Sequence, residues 1–319
     1  MINRNGVTGE YLSYLKAVRG VSERTLAAYG KDLEHFSSYC ENSGLAPETA
    51  SAGEVEHFIA DLGAEGTASV SVNRALSSVR GFYRWLIRFG RRTDDPSANI
   101  RNLKTPRSLP AFLWEGEMAA FAGLPEKAGI LWPVRDKALI LVMYSAGLRI
   151  SELVSLSMAE LDPALSGARV LGKGGKERFV FFSDEAASAL GEYLPARNTR
   201  LSAARTDRLF INRRGTAISV PGVRWIINRY GDRSGLDKHV HPHALRHSFA
   251  THLVNSGCDV RVVQEMLGHA SISTTQRYTH VDMEHLRRAY MSAHPHAHAA
   301  PGGEVQSADP APRPQRRKS

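Results

Sequence analysis

The stretch His243-Ala244-Leu245-Arg246-His247-Ser248-Phe249-Ala250-Thr251-His252 holds the densest set of chemically active side chains in this sequence. Leu267-Gly268-His269 follows it, and then Arg277-Tyr278-Thr279-His280. An arginine can hold two phosphate oxygens in a bidentate fork, a histidine can move a proton near neutral pH, and a tyrosine can act as a covalent nucleophile. These segments therefore contain the groups needed to attack a phosphodiester.

Pro242 predicts that a helix begins close to His243, which places His243 and Arg246 on one face, three residues apart. His239, His241 and His243 alternate, and a zinc site is the competing interpretation of that pattern. No glutamate is placed as in H-E-x-x-H, and no cysteine joins the histidines. We expect no metal, and we assign His247 and His252 to packing or solvent.

A second candidate phosphate ligand is Arg149, because it follows a predicted helix end. Residues 138–146 are strongly apolar and stop at Gly147, a typical helix C-cap, and a new helix is expected to open at residues 151–153. Two guanidinium groups can neutralise both non-bridging oxygens of a phosphate and favour its more charged transition state.

Lys173 lies in a sequence that begins like a Walker A loop, since residues 167–173 fit G-x-x-x-x-G-K. Gly174 stands where that loop needs Ser or Thr, and residues 168–171 and 177–182 are predicted to be strands rather than to lead into a helix. We therefore reject nucleotide binding and predict a hairpin tip. A lysine there can protonate a departing 5′-hydroxyl as a general acid. The alternative is an exposed lysine at a turn that contributes only to solubility.

Tyr278 is the candidate nucleophile. His269 follows a turn at Gly268 and could hydrogen-bond the phosphate or the attacking oxygen, with a helix C-cap contact as the alternative. A phenol has a pKa of about 10 and attacks poorly at neutral pH. It becomes useful only beside cationic phosphate ligands and a proton acceptor. A phosphotyrosyl bond would conserve the phosphodiester energy, so that no ATP is needed for resealing.

The composition favours a polyanionic partner. The 319 residues carry 41 Lys and Arg against 32 Asp and Glu, with a net charge of +9 and 42% hydrophobic residues. Cys40 and Cys258 indicate neither a disulfide framework nor a cysteine metal site, and no signal peptide or membrane span is recognisable. We expect a cytoplasmic protein without cofactors.

The N-terminal third divides by charge. Residues 1–69 hold 5 Lys and Arg against 10 Asp and Glu, whereas residues 70–107 hold 9 against 2. Amphipathic helices are predicted at residues 22–36 and 54–62. A third predicted helix ends at residues 94–96. Its core-facing positions are Val72, Leu76, Val79, Tyr83 and Leu86. Beside that apolar face run Arg80, Arg84 and Arg88. We interpret them as contacts to a phosphate backbone, with a solvated helix face as the alternative.

The expected organisation is a helical domain at 1–92, a proline-containing linker at 93–110, a mixed catalytic domain at 111–296 and a disordered basic tail at 297–319.

Taken together, these motifs resemble those of the tyrosine recombinases, the phage-integrase superfamily, over about residues 8–296. The matching segments are residues 146–153, 172–174, 243–252, 267–269 and 278–280. The resemblance implies a mainly α fold, with an N-terminal SAM-like core-binding bundle and a mixed α/β catalytic domain that contains a small β-hairpin. Within the family the chain is most similar to the XerC branch of the Xer type, particularly over residues 278–297.

By that resemblance, Arg149 and Arg246 would bind the scissile phosphate, Lys173 would be the general acid, His243 would assist proton transfer and His269 would support the phosphate. Tyr278 would attack and leave a 3′-phosphotyrosine and a free 5′-hydroxyl. The implied partners are a duplex DNA recombination site, a XerD-like recombinase in a cyclic heterotetramer and a division-associated DNA translocase. The implied role is resolution of chromosome dimers in the nucleoid. A mobile-element integrase with the same chemistry, or a non-catalytic DNA-binding relative, are the alternatives.

Overall fold

The chain forms two compact units, Met1–Arg107 and Ser108–Ser319. The structure is a computed structural model, and it describes residues 6–105, 112–128, 132–172, 175, 177–201, 206–268 and 280–295. Over these residues both units are mainly helical and the second contains one antiparallel pair of strands, so the predicted fold class is confirmed. The predicted domain limits stay predictions, and the tail at 297–319 lies outside the described residues.

The described part of the first unit, residues 6–105, is a bundle of four helices, one helix more than we predicted. Its helices are α1 (Val7–Ala17), α2 (Glu23–Asn42), α3 (Ala52–Ala64) and α4 (Ser69–Arg88). The helix that the sequence analysis missed is α1, which buries little beyond Tyr11 and Leu15 and therefore shows only a weak helical period. Ser22 and Ser51 cap α2 and α3, because each hydroxyl accepts a hydrogen bond from a first-turn N–H.

Helix α4 provides the central apolar face of this bundle. All five positions predicted to face the core, residues 72, 76, 79, 83 and 86, are buried. The predicted end of this helix was wrong, since α4 ends at Arg88 and not at residues 94–96. Gly90 adopts the left-handed conformation at φ 69°, and the chain turns away there, because glycine has no Cβ to oppose that backbone geometry.

The second unit surrounds the buried helix α7. Its helices are α5 (Glu115–Ala122), α6 (Leu124–Ala128), α7 (Pro133–Ser145), α8 (Ile150–Ser155), α9 (Asp184–Arg200), α10 (Val220–Gly231), α11 (Pro242–Asn255), α12 (Val260–Leu267) and α13 (His280–Ala293), with a 3₁₀ turn at Met158–Glu160. Residues 138–145 are all buried, as expected for a helix that is apolar all round. Strands β1 (Gly167–Leu171) and β2 (Glu177–Phe181) form the predicted hairpin, with Val170 opposite Arg178.

None of the helices in the described ranges has both the length and the apolar character needed to cross a membrane.

A left-handed turn at Gly147 sets the path between α7 and α8. Its φ is 55°, and a Cβ added there would lie 2.4 Å from Cδ1 of Phe249 and 3.0 Å from Cδ2 of Leu267. Glycine is therefore required twice, for its backbone conformation and for the close approach of α11 and α12.

Gly147→Ala should reduce the free energy of unfolding by about 2–5 kcal/mol, because it adds left-handed strain to a steric clash in the core. The matched control is Gly235→Ala, which has a similar φ of 69° and open space around the added methyl group, and it should cost about 1 kcal/mol. Calorimetric unfolding of the full chain measures both. Equal losses in the two variants would contradict the packing argument.

Candidate active site

Arg149 stands at the N-terminus of α8, directly after the turn at Gly147. Its backbone N–H donates to Oε2 of Glu152 at 2.9 Å, and its Nη1 donates to Oε1 of the same residue at 2.8 Å. Its Nη2 lies 3.4 Å from the carbonyl oxygen of Gly268. The Arg149 side chain is 30% exposed, so it is oriented by the protein and still accessible to a ligand.

Arg246 reaches the same place from α11. Its Nη1 donates to the carbonyl oxygen of Gly147 at 2.6 Å, and its Nη2 donates to that of Leu267 at 2.7 Å. Its Nη1 also lies 3.8 Å from Oε2 of Glu152. The structure therefore brings together the two arginines predicted from the sequence, although they lie 97 positions apart in the chain.

Glu152 joins these arginines, although it was not among the site residues predicted from the sequence. Its side chain is 4% exposed and also accepts two hydrogen bonds from Arg178 on β2. The available signal was its position three residues after Arg149, where a helix-capping glutamate can reach back to the preceding N–H. Nothing in the local sequence indicated that Arg178, 26 residues further on, would share this carboxylate.

Glu152 and the three arginines around it, Arg149, Arg178 and Arg246, form a group that we call the Glu152 cluster, and its net charge is positive. Within the part of the chain that the structure describes, Glu152 is the only carboxylate paired with Arg149, Arg178 or Arg246. Burial opposes the ionised form of Glu152, but the hydrogen bonds and charge of Arg178, together with hydrogen bonds from Arg149, outweigh it and lower the pKa of Glu152. The carboxylate therefore remains ionised at neutral pH.

Arg246 shows the consequence of this charge excess. Burial, and then the neighbouring Arg149, lower its pKa to about 10. Arg246 is still protonated at neutral pH, but its charge is incompletely balanced by Glu152. An anion bound beside Arg149 and Arg246 would supply the missing negative charge, so the cluster has the electrostatics of an anion site.

His243 lies in the first turn of α11 and is exposed. Its ring is 6.3 Å from that of His241. His241 has a structural task, because its Nδ1 accepts the N–H of Ala244 at 3.1 Å and caps the helix. Burial, followed by the charges of His239 and His243, lowers the pKa of His241, which favours the neutral ring that an accepting Nδ1 requires.

The remaining predicted site residues, Lys173, His269 and Tyr278, lie outside the described residues. The described segments next to them are strand β1, which ends at Leu171, the helix cap at Gly268 and helix α13, which begins at His280. Among the residues that are described, no group of three or more His, Cys, Asp or Glu side chains is arranged to hold a metal ion.

His252 is buried, and its Nδ1 lies 2.8 Å from the phenol oxygen of Tyr144, whereas His247 is exposed. These two positions agree with their assignment to packing and solvent.

The arginines of α4 are not equivalent, contrary to the uniform row that their spacing suggested. Arg80 is half-buried and donates to the carbonyl oxygens of Ser97 and Ile100 and to Oδ1 of Asn102. Arg88 contacts the phenol oxygen of Tyr14 at 3.2 Å. Arg84 is exposed and has no hydrogen-bond or ion-pair partner among the described residues. Arg84 is therefore the member of the row without a protein partner in the described part of the chain, and we expect the predicted contact with a phosphate backbone to involve it most directly.

The sequence matches two families of known domains. Residues 9–90 match the phage integrase N-terminal SAM-like domain, and residues 125–285 match the Phage integrase family. The tyrosine recombinase XerC of Treponema denticola is 42% identical over 304 residues, covering 92% of this chain and 100% of that protein. The XerC of Pseudomonas entomophila is 40% identical over 296 residues, covering 92% and 97%.

Solved structures show the same fold. The XerH site-specific recombinase aligns with a TM-score of 0.65 at 23% identity, covering 89% of this chain and 84% of that one. A lambda integrase aligns with a TM-score of 0.62 at 19% identity, covering 86% and 98%. At these identities the likeness is one of fold alone.

Arg84→Ala should weaken DNA binding and reduce the slope of log affinity against log salt concentration by about 1, because one phosphate contact is lost. Arg80→Ala is the matched control, and it should lower the melting temperature while leaving that slope unchanged, because its donors are engaged by residues 97–102. Affinities measured over a salt series give both slopes. An unchanged slope for Arg84→Ala would support the solvated-face interpretation.

Proposed function

This chain belongs to the phage integrase family and is a tyrosine site-specific recombinase of the XerC type, and on that premise we propose that it cuts and rejoins duplex DNA through a 3′-phosphotyrosyl intermediate on Tyr278. The observation that carries this proposal is the pairing of Arg149 and Arg246 around one carboxylate, with positive charge in excess. A phosphodiester gains negative charge on its equatorial oxygens as it is attacked, so a preorganised pair of guanidinium groups favours the transition state over the ground state.

The protein orients Arg149 and Arg246 through hydrogen bonds that use only some of their N–H groups. Each guanidinium carries five N–H groups. Arg246 uses one from each terminal nitrogen on the carbonyl oxygens of Gly147 and Leu267, while Arg149 directs its terminal nitrogens towards Glu152 and Gly268. The remaining N–H groups can bind the two non-bridging phosphate oxygens. Orientation by protein carbonyls before substrate binding also reduces the entropy lost when the phosphate is bound.

The proposed reaction begins with attack of the Tyr278 phenol oxygen on the scissile phosphorus. The new O–P bond forms on tyrosine, the bond from phosphorus to the 5′-oxygen breaks, and the electron pair leaves with that oxygen. His243 assists removal of the phenolic proton, His269 supports the phosphate and Lys173 protonates the departing 5′-oxygen. Resealing reverses these steps with a 5′-hydroxyl from the partner strand. The number of phosphate ester bonds is unchanged, so ATP is not required, and in this proposal Arg149 and Arg246 supply the positive charge that stabilises the attacked phosphate.

The proposed substrate is a short pseudo-palindromic chromosomal site, exchanged through a Holliday junction by this chain and a XerD-like partner in a cyclic heterotetramer. The proposed outcome is resolution of chromosome dimers in the nucleoid at cell division, with a division-associated DNA translocase as activator. Support comes from the XerC relatives, which align over nearly their full length, and from XerH, a relative in fold that was solved on a palindromic substrate after cleavage.

Tyr278→Phe should abolish covalent attachment to DNA while leaving DNA affinity unchanged, because only the nucleophilic oxygen is removed. A nicked suicide substrate traps the intermediate, since the short released fragment diffuses away before resealing. The wild type should give a denaturation-resistant protein–DNA band and the variant none. A band that persists in the variant would assign the nucleophile to another residue.

Lys173→Ala should slow cleavage about 10²–10³-fold, because the 5′-oxygen leaves poorly without a proton donor. A substrate with sulfur in place of that bridging oxygen needs little protonation, so it should restore the rate of the variant to near that of the wild type. His243→Ala on the same substrate is the control and should not be rescued. Equal slowing of Lys173→Ala on both substrates would remove Lys173 from the acid role.

A further inference from the structure

Arg178 is a buried arginine for which the proposed reaction so far has no role. It occupies the second position of β2, opposite Val170 of β1, and its side chain is only 5% exposed. An arginine is seldom buried to this extent unless its charge is paired and its donors are satisfied. Its surroundings therefore indicate why the chain keeps a cation at this position.

All three nitrogens of the Arg178 guanidinium are engaged. Nη1 and Nη2 donate to Oε1 and Oε2 of Glu152 at 3.0 and 2.9 Å in a fork, and Nε donates to the carbonyl oxygen of Met266 at 3.0 Å. This single side chain connects three segments, which are strand β2, the start of α8 beside Arg149 and the end of α12. It does so by the bidentate geometry that lysine cannot reproduce.

Arg178 also packs against the backbone at Gly268. A Cβ built on Gly268 would lie 3.0 Å from Nη1 of Arg178 and 3.2 Å from its Cδ and Cζ atoms. The close approach depends on the glycine, whose φ is 65°. The carbonyl oxygen of this same glycine lies 3.4 Å from Nη2 of Arg149, so Arg178 and Arg149 meet the backbone of one residue.

The distances of the arginines from the Glu152 carboxylate indicate a function for Arg178. Three guanidinium groups surround one carboxylate, and Arg178 occupies both carboxylate oxygens at full bidentate distance, whereas Arg246 stays 3.8 Å away. If Arg178 were absent, the negative charge of Glu152 would be balanced only by the two arginines assigned to the phosphate. Arg246 could then close on the freed lone pairs and lose its orientation towards a ligand.

We propose that Arg178 is a positioning residue that neutralises and holds Glu152, so that Arg149 and Arg246 keep their charge and their free N–H groups for the scissile phosphate. Arg178 does not itself touch the phosphate, because its side chain is only 5% exposed and its guanidinium faces Glu152 and Met266. The expected effect of Arg178 on the cleavage rate rests on the proposed function. Its expected effect on anion binding can be measured without strand cleavage.

The test compares Arg178→Met with the double variant Arg178→Met/Glu152→Gln. Single-turnover cleavage of the suicide substrate at saturating protein should be about 10²-fold slower for Arg178→Met, the size of effect seen when one preorganised electrostatic contact is lost. Its DNA affinity should stay within about threefold of wild type, because other phosphate contacts dominate binding. The double variant should recover about tenfold of the lost rate, because it removes the unpaired carboxylate as well.

Arg197→Met is the matched control for a purely structural effect. Arg197 is 3% exposed and donates to the carbonyl oxygens of Thr206, Arg208 and Leu209, with no contact to the Glu152 cluster. Its variant should lose thermal stability but cleave at nearly the wild-type rate when assayed well below its melting temperature. Should Arg178→Met fail to fold, Arg178→Lys keeps the charge without the fork and should cleave about tenfold slower with unchanged affinity.

Two results would overturn the proposal: a double variant that cleaves no faster than Arg178→Met, or an Arg197→Met variant slowed as much as Arg178→Met. If the wild type forms no adduct at all, the proposed function fails, and the role of Arg178 is then decided by inorganic tungstate as a phosphate mimic. Tungstate should raise the melting temperature of the wild type and of the double variant more than that of Arg178→Met. An equal rise in Arg178→Met and the wild type would sink the proposal.

Discussion

The second unit is organised around the pairing of one buried carboxylate, that of Glu152, with the guanidinium groups that surround it. Three like charges in an interior of low polarity would repel one another and lose their hydration. Glu152 compensates part of that cost by accepting hydrogen bonds from Arg149 and Arg178 and by lying near Arg246. Because one negative charge cannot balance three positive ones, the cluster keeps an electrostatic demand for an anion. The stability of the cluster and the proposed binding of phosphate therefore depend on the same carboxylate.

Backbone geometry brings this cluster together. Gly147 and Gly268 both adopt left-handed conformations; a Cβ at Gly147 would clash with Phe249, and a Cβ at Gly268 would make an unusually tight contact with Arg178. Arg246 bonds the carbonyl oxygens of Gly147 and Leu267, so the two turns that end α7 and α12 orient a side chain of α11. The site is consequently built from helix ends, where carbonyl groups lack intrahelical partners and can accept bonds from side chains.

The first unit shows that arginines at equal helical spacing can serve different purposes. On α4 the apolar face determines which positions are buried, but the chain after the helix determines what the polar positions contact. Residues 97–102 return alongside α4, and their carbonyl and amide oxygens engage Arg80. Arg84, one turn further along, meets no such segment in the part of the chain that the structure describes. A basic stripe in a sequence is therefore only an upper limit on the number of charges available to a polyanion.

Much of this protein is determined by local sequence. The apolar period of α4, the glycine that ends α7, the alternation of β1 and β2 and the proline that begins α11 can each be recognised within a few residues, because backbone propensity and burial act over one or two turns. The motif residues Arg149 and Arg246 could be selected in the same way, since their neighbours indicated helix ends. Helix α1 was missed because too few of its side chains are buried to give a clear period.

Only the tertiary structure decided which charges share a carboxylate. The pairing of Glu152 with Arg178, the 3.8 Å separation from Arg246 and the capture of Arg80 by residues 97–102 join positions with no local relation in the chain. A side chain of either sign can be exposed, paired or free at the same sequence position. Its state depends on what packs against it. A hydrogen bond forms only when donor and acceptor lie about 3 Å apart, and for residues far apart in the chain that distance is set by how the helices and strands pack.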